Sequence, residues 1–318
     1  DFTQGELRQS DRDLDLAIDG AGFLVLLKDA DTYFARTGTF EVNEDGDIVL
    51  AGTDYKLAVL DETGTPTAIS VAPYRTSPPQ ATTRVTLADN LSSSATTFSL
   101  PGIKVYDAQG VAETWQITFE RSASAPGEWT VRATNSAGSA VGESQALRFI
   151  AGIVDPATTE LRFESGGRSV TLDLSKNVSS FSSGEVSTLR VASVDGHGVG
   201  TLTGAVVNED GALELAYSNE QTRVLGPIAI GSFRDPGALV QLGSGLFNAR
   251  TGARVDYQSS ASDDVGKVLG KRLEASNVDL SQEFGELILV QRGYQAASQV
   301  VSASNEMIQQ LFGIRGQG

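Results

Sequence analysis

The stretch Leu287-Ile288-Leu289-Val290-Gln291-Arg292-Gly293-Tyr294-Gln295-Ala296-Ala297-Ser298-Gln299-Val300-Val301 repeats its apolar residues at a helical period and holds a single charge, Arg292. Followed outward, the pattern runs from Leu273 to Phe312. Its helix is expected to open at Asp279-Leu280-Ser281-Gln282, where Asp279 can cap and Gln282 can reach back from the third helical position. No proline interrupts it, and Gly313 is the glycine expected to stop it. At 1.5 Å per residue, Ser281 to Phe312 would run roughly 45–50 Å.

Two apolar stripes follow from the 100° step. Leu287, Val290, Tyr294, Ala297, Val301, Ile308 and Phe312 share one face. Leu289, Ala296, Val300, Ala303 and Met307 share a second, about 140° round. One neighbour buries one stripe, so this helix calls for at least two. The remaining face is polar and almost uncharged, with Gln291, Gln295, Ser298, Gln299 and Ser302, and Glu306 is the sole charge between Gly293 and Phe312. A solvated face would carry Lys and Glu in i, i+4 pairs. An antiparallel coiled-coil arm within a monomer would need a second helix, and nothing upstream supplies one.

Upstream the chain reads as β. Short alternating runs from Leu14 to Leu60 are punctuated by Asp19-Gly20, Thr37-Gly38 and Asp45-Gly46, the residues that hairpin turns require. The pattern breaks around Ala72-Pro73 and Ser77-Pro78-Pro79, and the Ser/Thr-rich Asn90–Thr97 reads as a linker crossing to a second unit. That unit has alternating strands at Gly102–Asp107, Glu113–Glu120, Glu128–Thr134, Gln145–Phe149, Thr159–Phe163 and Ser169–Leu174. After Ser193 the first style returns, because Phe40-Glu41-Val42-Asn43-Glu44-Asp45-Gly46 has a counterpart in Ala205-Val206-Val207-Asn208-Glu209-Asp210-Gly211. Like hairpins on both sides of an unlike unit predict one domain interrupted by another, with the two crossings, near residues 75–95 and 180–193, side by side. The expected fold class is mainly β with a long C-terminal α-helix: an interrupted inner β domain, an inserted outer β domain and a terminal coiled-coil-type helix.

Composition narrows the function. The 318 residues carry a net charge of −16, which disfavours nucleic acid or an anionic membrane surface as partner. No apolar run reaches the length that spans a bilayer, and Asp1 opens no signal-type region. The chain has no cysteine, so disulfides, thiolate metal sites and cysteine nucleophiles drop out together. The Asn-Glu-Asp-Gly stretches lack EF-hand spacing and read as plain hairpin turns. His197, the one histidine, sits in Asp195-Gly196-His197-Gly198 with no nucleophile elbow in the chain, and the glycine clusters match neither phosphate-binding pattern. Trp115 and Trp129 lie in strand patterns as core anchors. No catalytic, metal or cofactor site is expected.

Several segments, in order, resemble the bacterial flagellar hook proteins within the wider family of flagellar axial proteins. They are Asp1-Phe2-Thr3-Gln4-Gly5, Leu14-Asp15-Leu16-Ala17-Ile18-Asp19-Gly20-Ala21-Gly22-Phe23, Tyr33-Phe34-Ala35-Arg36-Thr37-Gly38, Val105-Tyr106-Asp107-Ala108-Gln109-Gly110, Tyr217-Ser218-Asn219-Glu220-Gln221 and Leu273-Glu274-Ala275-Ser276-Asn277-Val278-Asp279. Gln291-Arg292-Gly293-Tyr294-Gln295 completes the set. The resemblance implies an inner β domain of residues 1–77 with 194–270, an outer β domain of 78–193 and an axial-core segment of 271–318. It implies a structural, non-enzymatic subunit, exported without a cleavable signal and polymerising with itself into an extracellular tube. The hook cap, the distal rod, the hook–filament junction proteins and the flagellar export apparatus are its implied partners. In the family an N-terminal helix pairs with the C-terminal one, and no such helix precedes Asp1 here, so this chain alone is expected not to polymerise normally. A distal rod protein shares the end motifs and normally lacks the insert 78–193. A secreted β-rich adhesin or enzyme is the alternative from another class.

Overall fold

A computed structural model describes residues 4–315, apart from residues 166, 261, 263 and 279. Its described residues are mainly strand, with short 3₁₀ turns and one long helix, Leu280–Arg315. The expected class holds.

The buried side chains gather in three clusters, the smallest formed by Phe23, Val25, Phe34, Ala58, Ala229 and Leu239. Residues 16–71 and 205–268 together supply Leu16, Ile18, Leu24, Leu26, Phe40, Leu57, Leu213, Leu215, Ile230 and Val268 to one core. A separate core is drawn from residues 85–189 and includes Leu87, Trp115, Phe119, Trp129, Leu147, Phe163 and Leu172. In the second, alternation decides the facing: Trp115, Ile117 and Phe119 are buried while their neighbours along Ala112–Arg121 point outward. Thr97–Tyr106, Ala112–Arg121, Glu128–Asn135 and Ala140–Ile150 form a meander, each antiparallel to the next.

The linker expected at Asn90–Thr97 is not one. Arg84–Asn90 is an interior strand of the same sheet, parallel to Arg168–Asp173 and antiparallel to Arg190–Val194. Val85, Leu87 and Leu91 are buried, and Ser92, fully buried, donates its hydroxyl to the Gly184 carbonyl. Serines gave the stretch a linker composition, yet Ser92 and Ser94 direct their hydroxyls to Gly184 O and Ser182 Oγ, far along the chain. The crossing lies within the expected 75–95 stretch and just past 180–193, where Gln80 and His197 exchange both backbone hydrogen bonds at 2.9 Å. Beside it the Asp195 carboxylate accepts from Thr83 N, Thr83 Oγ1 and Arg84 N at 2.5–2.9 Å. Burial raises the pKa of this carboxyl, but the donors of Thr83 and Arg84 outweigh that and hold it below the ordinary value.

The two related hairpins share one turn. The Asn43 side chain accepts from Asp47 N and its backbone carbonyl accepts from Gly46 N. Asn208 does the same toward Ala212 and Gly211. Asp61, Asp107 and Asn135 repeat the arrangement with Gly64, Gly110 and Gly138. Each of these glycines has a positive φ, between 71° and 87°, which is why glycine stands three residues after the Asx.

Candidate assembly site

The helix is expected to carry the function, and the fold anchors the strand that precedes it. The helix begins at Leu280, as expected, and the start of the longer run from Leu273 is instead a strand: Arg272–Glu274 pairs antiparallel with Leu7–Gln9, Leu7 opposite Glu274. Glu274 Oε1 accepts from Gly5 N at 2.8 Å and Oε2 lies 3.3 Å from Arg36 Nε. Arg36 also donates to the carbonyls of Gly20 and Gly22, at 2.8 and 2.6 Å. Thr37 Oγ1 accepts from Glu274 N and donates to the Leu16 carbonyl. Both charged side chains are largely buried, where charge-assisted hydrogen bonds count for more than they do in water. Gly5 fits because a Cβ there would stand 1.9 Å from the Ala275 carbonyl oxygen.

Beyond this root no described side chain of the helix is buried. Every described side chain from Ser281 to Ile308 is exposed. In the first stripe Leu287, Val290, Tyr294, Val301 and Ile308 are 49–78% accessible, and in the second Leu289, Val300 and Met307 are 63–75% accessible. Ala296, Ala297 and Ala303 are exposed with them. The Phe312 side chain and the proposed cap Asp279 lie outside the described residues. Gly313 does not stop the helix, whose backbone runs on to Arg315. A lone glycine inside a helix costs only about 1 kcal/mol against alanine, too little to force an end.

Leaving eight large apolar side chains in water forgoes on the order of 10–20 kcal/mol of burial, as much as a domain's whole stability. Such a helix is built to be covered. Gln291, Gln295, Ser298, Gln299 and Ser302 are exposed on the third face. Seven residues ahead of Gln291 and Gln295, the same face carries Phe284 and Ile288, both more than half exposed, so its first turns are apolar. The polar character starts only at Gln291.

Elsewhere the described residues hold no cluster of His, Asp and Glu able to bind a metal. The Asn-Glu-Asp-Gly segments are the turns described above. His197 lies in the crossing, its Nδ1 3.1 Å from Asn219 Nδ2. Trp115 and Trp129 are buried in the core drawn from residues 85–189. No helix among the described residues is long and apolar enough to cross a membrane.

The Arg36–Glu274 anchor was not anticipated from sequence. Its signal was an arginine embedded in the strand pattern Tyr33-Phe34-Ala35-Arg36-Thr37, where a charge needs a buried partner.

Comparison with known proteins places these features together. Residues 270–314 match the family described as flagellar basal body rod FlgEFG protein C-terminal, and residues 75–238 match the flagellar basal body protein FlaE D2 domain. The flagellar hook protein FlgE of Salmonella typhimurium is 28% identical over 99% of this chain and 85% of its own length. FlgE of Escherichia coli gives the same identity and the same shares. The crystal structure of Helicobacter pylori flagellar hook protein FlgE2 aligns with a TM-score of 0.59, covering 84% of this chain and all of that one at 13% identity, a likeness of fold. With the FlaE D2 domain matched across just over half of its length, the chain belongs to the flagellar hook protein family.

Proposed function

We propose that the chain serves as a structural subunit of the bacterial flagellar hook, polymerising with itself into a curved extracellular tube that passes motor torque to the filament. The observation that carries this reading is the helix with two exposed apolar stripes, a part that is stable only between neighbours. On this reading one stripe meets a helix of the same subunit, the other meets adjacent subunits, and the face from Gln291 to Ser302 lines the channel. Residues 1–77 with 194–270 form the inner domain, 78–193 the outer domain and 271–318 the axial core. The hook cap, the distal rod, the junction proteins and the export apparatus are its partners. A distal rod subunit is the weaker reading, because the FlaE D2 match takes in the whole insert.

Electron microscopy tests it directly. Cells expressing the chain preceded by the family's N-terminal helix should yield curved tubes with a central channel. Tyr294→Asp with Val301→Asp should abolish them while the β signal in circular dichroism stays unchanged. Tubes that form normally with both aspartates would refute the role given to the helix.

A further inference from the structure

Two stretches of the sequence meet at the crossing from different β units. The first is Val105-Tyr106-Asp107-Ala108-Gln109-Gly110, whose turn follows the strand Thr97–Tyr106 in the unit built on the core of residues 85–189. The second is Tyr217-Ser218-Asn219-Glu220-Gln221, the turn of a hairpin whose Tyr217 is buried in the core of the other unit.

The Asp107–Gly110 turn bears on both crossing strands. Gly110 stands against them so closely that a Cβ there would lie 2.7 Å from Pro79 Cβ and 3.3 Å from Val199 N. Tyr106, just before the turn, exchanges hydrogen bonds with Thr82: its carbonyl accepts from Thr82 N and its N–H donates to Thr82 Oγ1, both at 2.9 Å. The Tyr106 ring lies against Gly198, where a Cβ would be 3.3 Å from Cε1. From the other unit Asn219 Nδ2 donates to Gly198 O at 2.9 Å and to Ser77 Oγ at 3.3 Å, one acceptor on each crossing strand. Beside these supports lies an open groove of about 620 Å³, with Lys104, Arg190 and Val194 on one unit and Glu220 and Gln221 on the other. Packing does not set the angle between the units across that space. The turn does, because close-packed groups yield little: bending toward it has no room, and bending away opens the contact.

We infer that the Asp107–Gly110 turn and Asn219, bearing on the same two crossing strands from different units, are positioning elements that hold the units at one angle. On the hook reading every subunit of the tube repeats that angle, but the inference concerns the single chain and stands whether or not copies assemble.

The chain has no cysteine, so spin labels can be confined to chosen sites. Glu62→Cys and Arg162→Cys, both at exposed positions, put one label on each unit, and double electron–electron resonance reads the distance between them in the soluble chain. The control is built into the fold. Gly138 fills the same place in the Asn135 turn, at φ 76° against 81° for Gly110, yet a Cβ there meets nothing within 4 Å. Alanine strains the two turns alike, and only Gly110→Ala drives a methyl into Pro79. Gly110→Ala should move the distance peak by more than its width in the parent chain, Gly138→Ala should leave it in place, and Asn219→Ala should broaden it. An unchanged distribution for Gly110→Ala or for Asn219→Ala, or an equal shift for Gly138→Ala, overturns the inference. Should Gly110→Ala lose its β signal in circular dichroism, Asn219→Ala decides alone, a broadened peak in favour and an unchanged one against.

Discussion

Arg36 Nε lies 3.3 Å from Glu274 Oε2, a partner 238 residues further along the chain, and this pair closes the inner sheet on the segment that becomes the helix. Glu274→Ala leaves the guanidinium and the Gly5 amide short of an acceptor. The expected loss is about 1.5–3 kcal/mol, the range for a hydrogen bond to a charged group. Urea unfolding measures it, and a midpoint equal to that of the parent chain would remove the anchor from the account.

The repeated Asx turn predicts a smaller effect at two distant places. Asn43→Ala and Asn208→Ala should each lower stability by about 1 kcal/mol, one net hydrogen bond. Asn43→Asp should retain most of it, since Asp61 and Asp107 fill the same place in their own turns. Thermal melts of the three variants decide.

Asp195 gives the crossing a dependence on acid. Its folded pKa is depressed, so ionisation is favoured by the fold, and the stabilisation is complete above the ordinary value of 3.8. It is lost as pH falls through the lower folded value. Melting temperatures from about pH 6 to about pH 2 should fall less steeply for Asp195→Asn than for the parent chain. Parallel curves would show that Asp195 does not contribute.

The net charge of −16 opposes packing of subunits at low ionic strength. Raising salt from about 0.01 M to about 0.15 M shortens the Debye length from about 30 Å to about 8 Å, and assembly should accelerate accordingly. Light scattering that stays flat across that range would contradict this.

The third helix face offers a test in cells. Gln291→Lys with Gln295→Lys would place cations on the wall assigned to the channel, and export of filament protein should drop. Unaltered export sinks the assignment.

What sequence reveals here depends on whether a residue's neighbours are local. The helix, the hairpin pair around Asn43 and Asn208 and the meander from Thr97 to Ile150 were legible, because period and turn chemistry are properties of a few adjacent residues. Arg84–Asn90 was hidden by its polar continuation, since its strand partners, Arg168–Asp173 and Arg190–Val194, lie far along the chain. The anchor of Arg36 on Glu274 was illegible for the same reason. The stripes on the helix could be drawn from spacing alone, but the entry of Phe284 and Ile288 onto its third face shows how readily attention to the polar residues conceals an apolar start.

The double crossing between the two β units has a mechanical consequence. One covalent strand swivels freely about its backbone bonds, but two strands tied together at Gln80 and His197 cannot turn about their common axis without breaking that tie. Such a junction bends as a strap bends and resists being wound. In a part that must flex once per revolution while transmitting rotation, compliance in bending joined to stiffness in twist is the property required.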